Sequence, residues 1–330
     1  MTSTDRVERQ GGSAMVMVRR VGLVIGWLAC LAIATGGMGA EPPITAVTLT
    51  PDGREVLIGS QAGIELRTWP EMGMVAKVAT GLEHVHDLAF APDGKTLAVA
   101  GGTPGESGAV ELWDWAGRRK IRSIGSHDDV VYRVAWSPDG ERIASAGGDG
   151  ICQVSGWANG GLVVNFSGHS GPVLSVRYLD AMTLASAGVD QTVRLWDGAD
   201  GQLRRTLDNH VGVVNDIAIS PVGADGVIER IITIGEDRTV RLWQPRIGRM
   251  VRFTKLDVPP RCIVWSKDGR VVFVGGEDGV VRQFDVEGGL KVVGQTEGGI
   301  GRIHEMVLDP RGDRMLVAGE HGYRVIPVAK

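Results

Sequence analysis

From residue 44 onward, apolar and polar residues alternate in short runs, and turn-forming residues interrupt the alternation every few positions. A period of two over such short stretches predicts half-buried β-strands. Val131-Tyr-Arg-Val-Ala-Trp136 is one such run. A small-residue run, Ile143-Ala-Ser-Ala146, follows it, and then a Gly-Asp turn leads to a third β-rich run. The clearest third runs are Thr192-Val-Arg-Leu-Trp-Asp197 and Thr239-Val-Arg-Leu-Trp243, and Gln202-Leu-Arg-Arg-Thr-Leu207 supplies a fourth.

The same grammar repeats. A turn of the form Pro-Asp-Gly closes the first run at Thr50-Pro51-Asp52-Gly53, Ala91-Pro92-Asp93-Gly94 and Ser137-Pro138-Asp139-Gly140. It recurs in altered form at Ser220-Pro221-Val222-Gly223, Ser266-Lys267-Asp268-Gly269 and Asp309-Pro310-Arg311-Gly312, with Leu179-Asp180-Ala181 filling the remaining gap. Proline presets φ and glycine accepts the positive-φ position, so each turn reverses the chain between antiparallel strands. Seven turns spaced 41 to 46 residues apart, with four short strands to each period, predict a seven-bladed all-β propeller over 44–330. The 49 glycines spread along the chain agree with many tight turns.

These residues resemble the WD-repeat (WD40) propeller family. The resemblance rests on Gly168-His169, Asp190 and Trp196-Asp197 in the fourth repeat, His210, Asp237 and Trp243 in the fifth, and His84 with Trp113-Asp114 in the second. The second repeat carries an insertion, Thr103 to Gly108, where a tight Asp turn is expected, and this insertion reads as an exposed loop. Ser186, His169 and Asp190, and likewise Thr233, His210 and Asp237, imitate a hydrolase triad. Neither hydroxyl lies in a Gly-x-Ser-x-Gly elbow. The resemblance implies instead that each set, completed by Trp196 or Trp243, is a buried hydrogen-bonded clamp between strands. His84 is assigned to the same histidine slot. The third repeat has Ser155 where the tryptophan would stand and Trp157 two residues on, so its clamp should be incomplete; the sixth has Phe284 there. The seventh repeat ends after its third strand, which predicts a three-stranded last blade.

Composition narrows the function. Net charge is −4 with acids and bases interleaved, which supplies no basic track for nucleic acid. The three cysteines, Cys30, Cys152 and Cys262, show no zinc spacing. Cys152 and Cys262 fall in different repeats, at similar places in the sheet, and are expected as buried thiols. His84 and His86 alternate along one strand and could share a metal, but no third ligand accompanies them. No catalytic residue, metal or cofactor is assigned.

Residues 1–40 read as a signal peptide or N-terminal hydrophobic segment. Arg19 and Arg20 precede the apolar run Val21 to Ile33, and small residues follow through Ala40. Export to a periplasmic or extracellular compartment in a bacterial-type envelope is the expectation, with an uncleaved membrane anchor as the alternative. The run is short for a bilayer span of about 20 residues.

The family resemblance implies that partners dock on the propeller end bearing the histidines and tight Asp turns. Aligning the first strand of each repeat nominates one rim residue per blade: Thr45, His86, Tyr132, Leu174, Asn215, Arg261 and His304. The blade pattern does not require these residues to be buried. The expected function is a monomeric, non-catalytic scaffold binding a protein or peptide on that end. A propeller enzyme or small-ligand sensor acting at the axial pocket is the alternative, and it would need convergent acids or metal ligands. Asp87 and Asp216, each following a rim residue, read as strand residues typical of the family that the repeats resemble.

Overall fold

The computed structural model describes residues 42–221 and 230–328. The expected signal segment 1–40, Cys30 and the Val222-Gly223 part of one turn lie outside the described residues.

Seven antiparallel sheets follow one another along the chain. Blade 1 comprises β1 (Ala46–Leu49), β2 (Glu55–Ser60), β3 (Gly63–Thr68) and β4 (Met74–Val78). Blade 2 comprises β5 (His84–Phe90), β6 (Thr96–Thr103), β7 (Ser107–Asp114) and β8 (Arg119–His127). Blade 3 comprises β9 (Val131–Trp136), β10 (Arg142–Gly147), β11 (Ile151–Gly156) and β12 (Leu162–Ser167). Blade 4 comprises β13 (Val173–Tyr178), β14 (Thr183–Gly188), β15 (Val193–Asp197) and β16 (Leu203–Leu207). Blade 5 comprises β17 (Val214–Ile219), β18 (Ile231–Gly235), β19 (Thr239–Gln244) and β20 (Arg249–Lys255). Blade 6 comprises β21 (Pro260–Trp265), β22 (Val271–Gly276), β23 (Val280–Asp285) and β24 (Lys291–Glu297). Blade 7 has three strands, β25 (Ile303–Leu308), β26 (Arg314–Gly319) and β27 (Gly322–Pro327).

The recurring turn has a physical basis beyond proline and glycine. Thr50 Oγ1 donates to Asp52 at 2.6 Å and accepts from the Glu55 amide at 3.0 Å. Ser137 with Asp139 and Ser266 with Asp268 repeat the donation at 2.5 and 2.7 Å. Gly53, Gly94 and Gly140 take φ of 66°, 68° and 73°, where a side chain would be strained. The insertion Thr103–Gly108 lengthens the β6–β7 hairpin: residues 103, 107 and 108 pair in the ladder, residues 104–106 form the turn, and residues 104–107 are exposed.

Each strand alternates between its two blade interfaces. Cys152, Val154 and Phe166 of blade 3 pack on Val173, Val176, Leu184 and Trp196 of blade 4. Fully burying one such large apolar side chain contributes roughly 1.5–3 kcal/mol, so these inter-blade layers are the main stabilising term. Both described cysteines are free and buried. They do not occupy similar places: Cys152 is on a third strand and Cys262 on an innermost one. Burial pushes the Cys152 thiol up to about 12.

The innermost strands touch in sequence around the ring, including β1 against β25. Side chains reinforce that last seam. The Trp69 indole donates to Asp309, Arg67 lies 5.3 Å over the Tyr323 ring, and Ile44, Val47, Val56 and Ile58 pack on Leu316 and Ala318.

Candidate functional site

The two triad-like sets are built as clamps. Trp196 Nε1–H donates to Ser186 Oγ at 2.7 Å, Ser186 bonds His169 Nε2 at 2.7 Å, and His169 Nδ1 meets Asp190 at 2.9 Å. In blade 5, Trp243, Thr233, His210 and Asp237 repeat the chain at 2.9, 2.7 and 2.9 Å. An ionised carboxylate only accepts, so it fixes the proton on Nδ1 and leaves Nε2 to accept from the hydroxyl. The hydroxyls of Ser186 and Thr233 are fully buried, and both of their bonds are committed. Burial opposes ionisation of Asp190 and Asp237, yet the bonds from His169 and His210 outweigh it and hold both carboxyls well below the usual range.

The clamp histidine lies four residues before the first buried apolar residue of each innermost strand: His127 before Val131, His169 before Val173, His210 before Val214. By that count the second blade has Gly81 in the slot, so the assignment of His84 is corrected. His84 begins β5 itself and stacks on His86 with ring centroids 6.1 Å apart. Buried Glu111 substitutes for the clamp, accepting from Trp113 Nε1, the Gly81 amide and Lys120 at 3.1, 3.1 and 2.5 Å. Among the described residues, no group of three or more His, Cys, Asp or Glu side chains is placed to hold a metal.

Six of the seven rim residues share a feature that explains their alignment. The β-ladder skips one residue on the innermost strand at His86, Tyr132, Leu174, Asn215, Arg261 and His304. A bulge re-aims its extra side chain out of the alternation. Leu174, Asn215 and Arg261 are nevertheless buried, and Asn215 and Arg261 reach across to the adjoining blade. Thr45 donates to the Val85 carbonyl, Asn215 Nδ2 to Pro260 O at 2.8 Å, and His304 Nδ1 lies 3.0 Å from Ile44 O. Arg261 bridges Glu236, at 2.8 Å, and Glu277. His86 and Tyr132 meet edge to face at 5.5 Å, and Asn215 shares Glu236 with Arg261. The structure thus joins four of the rim residues as two neighbouring pairs, His86 with Tyr132 and Asn215 with Arg261, while Thr45 and His304 bond backbone carbonyls of the next blade.

Several rim atoms remain unsatisfied. His86 Nε2, Asn215 Oδ1 and Arg261 Nε are enclosed without a hydrogen-bond partner, as is Arg302 Nε nearby in sequence to His304. Burial, with the nearby His84 and Arg133, lowers the His86 pKa to about 4. Burial and the charge of Asp129 push the Tyr132 phenol up to about 12. Burial also lowers the pKa of His210 and His304.

These shifts set a pH dependence. Folded-state values below the unfolded histidine value of about 6.5 mean that the unfolded chain binds more protons under that pH. The contribution is complete above about pH 6.5 and is lost as pH falls toward about 4, the folded value of His86. We expect a loss of roughly 1–3 kcal/mol over that window, allowing for the partly exposed rings. Below it, the depressed carboxyls of Asp149, Asp190 and Asp237 extend the loss as they protonate. Urea melts of wild type and His86→Gln across pH 4–7 check this. Parallel curves would remove His86 from the account.

The ring axis holds a group the sequence reading missed. Arg133, one residue past the blade 3 bulge, reaches Glu305 of blade 7 at 2.5 Å, Asp87 of blade 2 at 3.5 Å and Asp216 of blade 5 at 3.5 Å. Side chains from blades 2, 3, 5 and 7 converge only at the axis. Asp216 also accepts from Ser175 Oγ at 2.8 Å. Asp87 and Asp216, strand residues, are thus also ion-pair partners of Arg133. The available signal was an aligned position carrying opposite charges in four repeats.

Comparison with known proteins agrees with this geometry. Ribosome biogenesis protein YTM1 of Meyerozyma guilliermondii is 36% identical over 27% of this chain and 20% of its own length. COMPASS component SWD3 of Saccharomyces cerevisiae is 26% identical over 40% of this chain and 44% of its own. Autophagy-related protein 16 of Arabidopsis thaliana is 25% identical over 49% and 31%. The chain thus spans less than half the length of these relatives. The model of the WD domain, G-beta repeat matches residues 77–114, 118–154, 160–197, 201–244 and 255–285, more than half of the chain. With its blades, clamps and repeat period, the chain belongs to the WD40 repeat family.

Proposed function

We propose that this chain is a non-catalytic scaffold that binds a protein or peptide on the propeller end carrying the bulges. The ring of bulges, one extra side chain on each of six innermost strands at that end, carries the reading. His86 Nε2, Asn215 Oδ1 and Arg261 Nε all belong to the aligned bulge positions. Those atoms are themselves enclosed, so a docking peptide would meet the half-buried side chains of His86, Tyr132 and His304 on the same ring. Two relatives bear names of larger machineries, a COMPASS component and a pre-mRNA-splicing factor, which supports a role within an assembly. Against the axial alternative, the carboxylates at the axis are engaged by Arg133. We propose further that the chain is an exported, bacterial-type member, on the strength of Arg19, Arg20 and the apolar run after them.

The test is cross-linking in the native cell, followed by pull-down with a His86→Ala/Tyr132→Ala/Arg261→Ala variant and an opposite-end control, Asp93→Ala. We expect the triple variant to lose at least tenfold in partner recovery while still melting cooperatively, and the control to keep it. Equal recovery by both variants would move the binding surface elsewhere. Fractionation and the mass of the mature N-terminus check export.

A further inference from the structure

The outer strands align by their register, and blade 5 departs from the other blades at one place. Two residues before the tryptophan slot, each third strand faces one residue of the outer strand. In blades 1, 2, 3, 4 and 6 that residue is Lys77, Ser123, Asn165, Thr206 and Gln295. In blade 5 it is Phe253, opposite Arg241. All six are exposed, Phe253 by 55%. Ile247 and Val251, exposed by 62% and 39%, continue the apolar surface along the same turn and strand. The Arg241 guanidinium lies over the Phe253 ring, 5.5 Å from its centroid. Alternation puts Arg241 on the same face as Trp243, which packs on blade 4, so Phe253 looks toward blade 4. Arg205 approaches from β16 of blade 4. It shares a face with Leu207, which packs in the layer of Trp243, and its Cδ lies 2.6 Å from the place a Cβ on Gly248 would take.

Charge singles out the same edge. Arg205, Arg249, Arg252 and Lys255 are exposed, and among the described residues their side chains make no hydrogen bond or ion pair. Bases on other outer strands are ion-paired: Lys77 with Glu65 at 2.9 Å, Arg119 with Asp114 at 3.1 Å and Lys120 with Glu111 at 2.5 Å. β20 also ends its sheet, so among the described residues its outer row of backbone N–H and C=O groups is unpaired. Charged side chains alone guard such an edge against other chains. The exposed apolar side chains of Val251 and Phe253 do the opposite, because they give a pairing chain something to bury.

We propose that the outer edge of blade 5 is a second docking surface, which takes an extended acidic segment of a partner polypeptide as a fifth strand on β20, with an apolar side chain against Phe253 and carboxylates against Arg205, Arg252 and Lys255. Charge complementarity sets the acidity of the occupant: these bases stand unanswered in a chain whose net charge is −4. The free backbone edge favours a polypeptide over a bilayer, which has no backbone to pair with it. The surface lies on the circumference and does not depend on the rim reading.

The experiment titrates the full-length protein into a fluorescein-labelled heptapeptide alternating glutamate and valine, and into its lysine–valine counterpart, followed by fluorescence anisotropy. Saturable binding of the acidic peptide is expected, weakening at least about fivefold between about 50 and about 300 mM salt, with no saturation by the lysine peptide. Phe253→Thr, which installs the residue type of blade 4, should weaken binding about tenfold, and Arg205→Glu/Arg252→Glu/Lys255→Glu should abolish it. Both variants change exposed side chains, and unchanged cooperative melting checks that they fold. A fully N-methylated acidic peptide, which cannot pair as a strand, should not bind. The His86→Ala/Tyr132→Ala/Arg261→Ala variant should bind the acidic peptide as the wild type does, which separates this surface from the rim. Absent saturation, equal affinity for the lysine peptide, undiminished binding by either blade 5 variant, or binding of the N-methylated peptide overturns the proposal. Co-sedimentation with phosphatidylglycerol vesicles in place of peptide binding overturns a polypeptide as the occupant.

Discussion

Arg133→Met is expected to destabilise the fold by about 3–5 kcal/mol, the usual cost of removing one partner from a buried ion group. The side chain is nearly inaccessible, and its guanidinium is the positive charge shared by Glu305, Asp87 and Asp216. Without it, three acids from three blades face one another across the axis. Arg177 could answer only in part: it reaches Asp216 alone, at 3.5 Å. Burial pushes the Glu305 carboxyl above the usual range, against the pull of Arg133. The variant should therefore regain part of its stability on mild acidification, as Glu305 takes up a proton, and by more than the wild type, where Arg133 favours the ionised form. Arg133→Met/Glu305→Gln should recover at least about 1 kcal/mol over the single variant, because the repulsion is relieved together with the pair. Urea unfolding at pH 7 and pH 5 measures both. A single-variant loss below about 1 kcal/mol would mean that water, not Arg133, balances these carboxylates.

The sequence reveals those parts of the structure that repeat locally. Turn chemistry and period-two runs set out the strands, because each Thr/Ser–Asp turn closes within five residues. The clamps of blades 4 and 5 were legible because their four residue types recur at matching offsets, and the gap at Ser155 was legible as a break in that offset. What escaped depended on long-range closure. Arg133 and Glu305 are 172 positions apart and meet only because the ring brings every innermost strand to one axis. Residue type alone points to His84 for the clamp slot, whereas the register puts Gly81 there and lets Glu111 take over. Six of the rim positions fall at a bulge of their innermost strand, and a bulge is a property of paired strands rather than of one strand's composition, so the burial of Leu174, Asn215 and Arg261 was not legible.

The clamps also divide the ring into unequal sectors. Blades 4 and 5 carry complete hydrogen-bonded chains, blade 3 lacks the indole, and blade 2 rests on one buried glutamate. Local stability should follow that order, since a clamp ties its loop histidine to the second and third strands at once.

Trp243→Ala should therefore produce the other large effect, about 3–5 kcal/mol, the range for deleting a buried aromatic. Trp243 is fully buried and sits in the layer that joins blades 4 and 5, with Leu179, Leu207, Ile217 and Ile231 around it. Its loss opens a cavity in that layer and removes the N–H that Thr233 accepts at 2.9 Å. The cost should exceed that of Trp243→Phe, which keeps most of the ring volume and gives up mainly the hydrogen bond, about 1–2 kcal/mol. Hydrogen exchange separates the two losses. In the Phe variant, faster exchange should be confined to the Asp237 turn and the loop of His210, whose amide neighbour Val211 is held by Asp237 at 3.2 Å. In the Ala variant it should spread into β16 and β17, because the cavity lies between the blades. Equal losses from Phe and Ala would show that the clamp bond, not inter-blade packing, is what the indole mainly supplies.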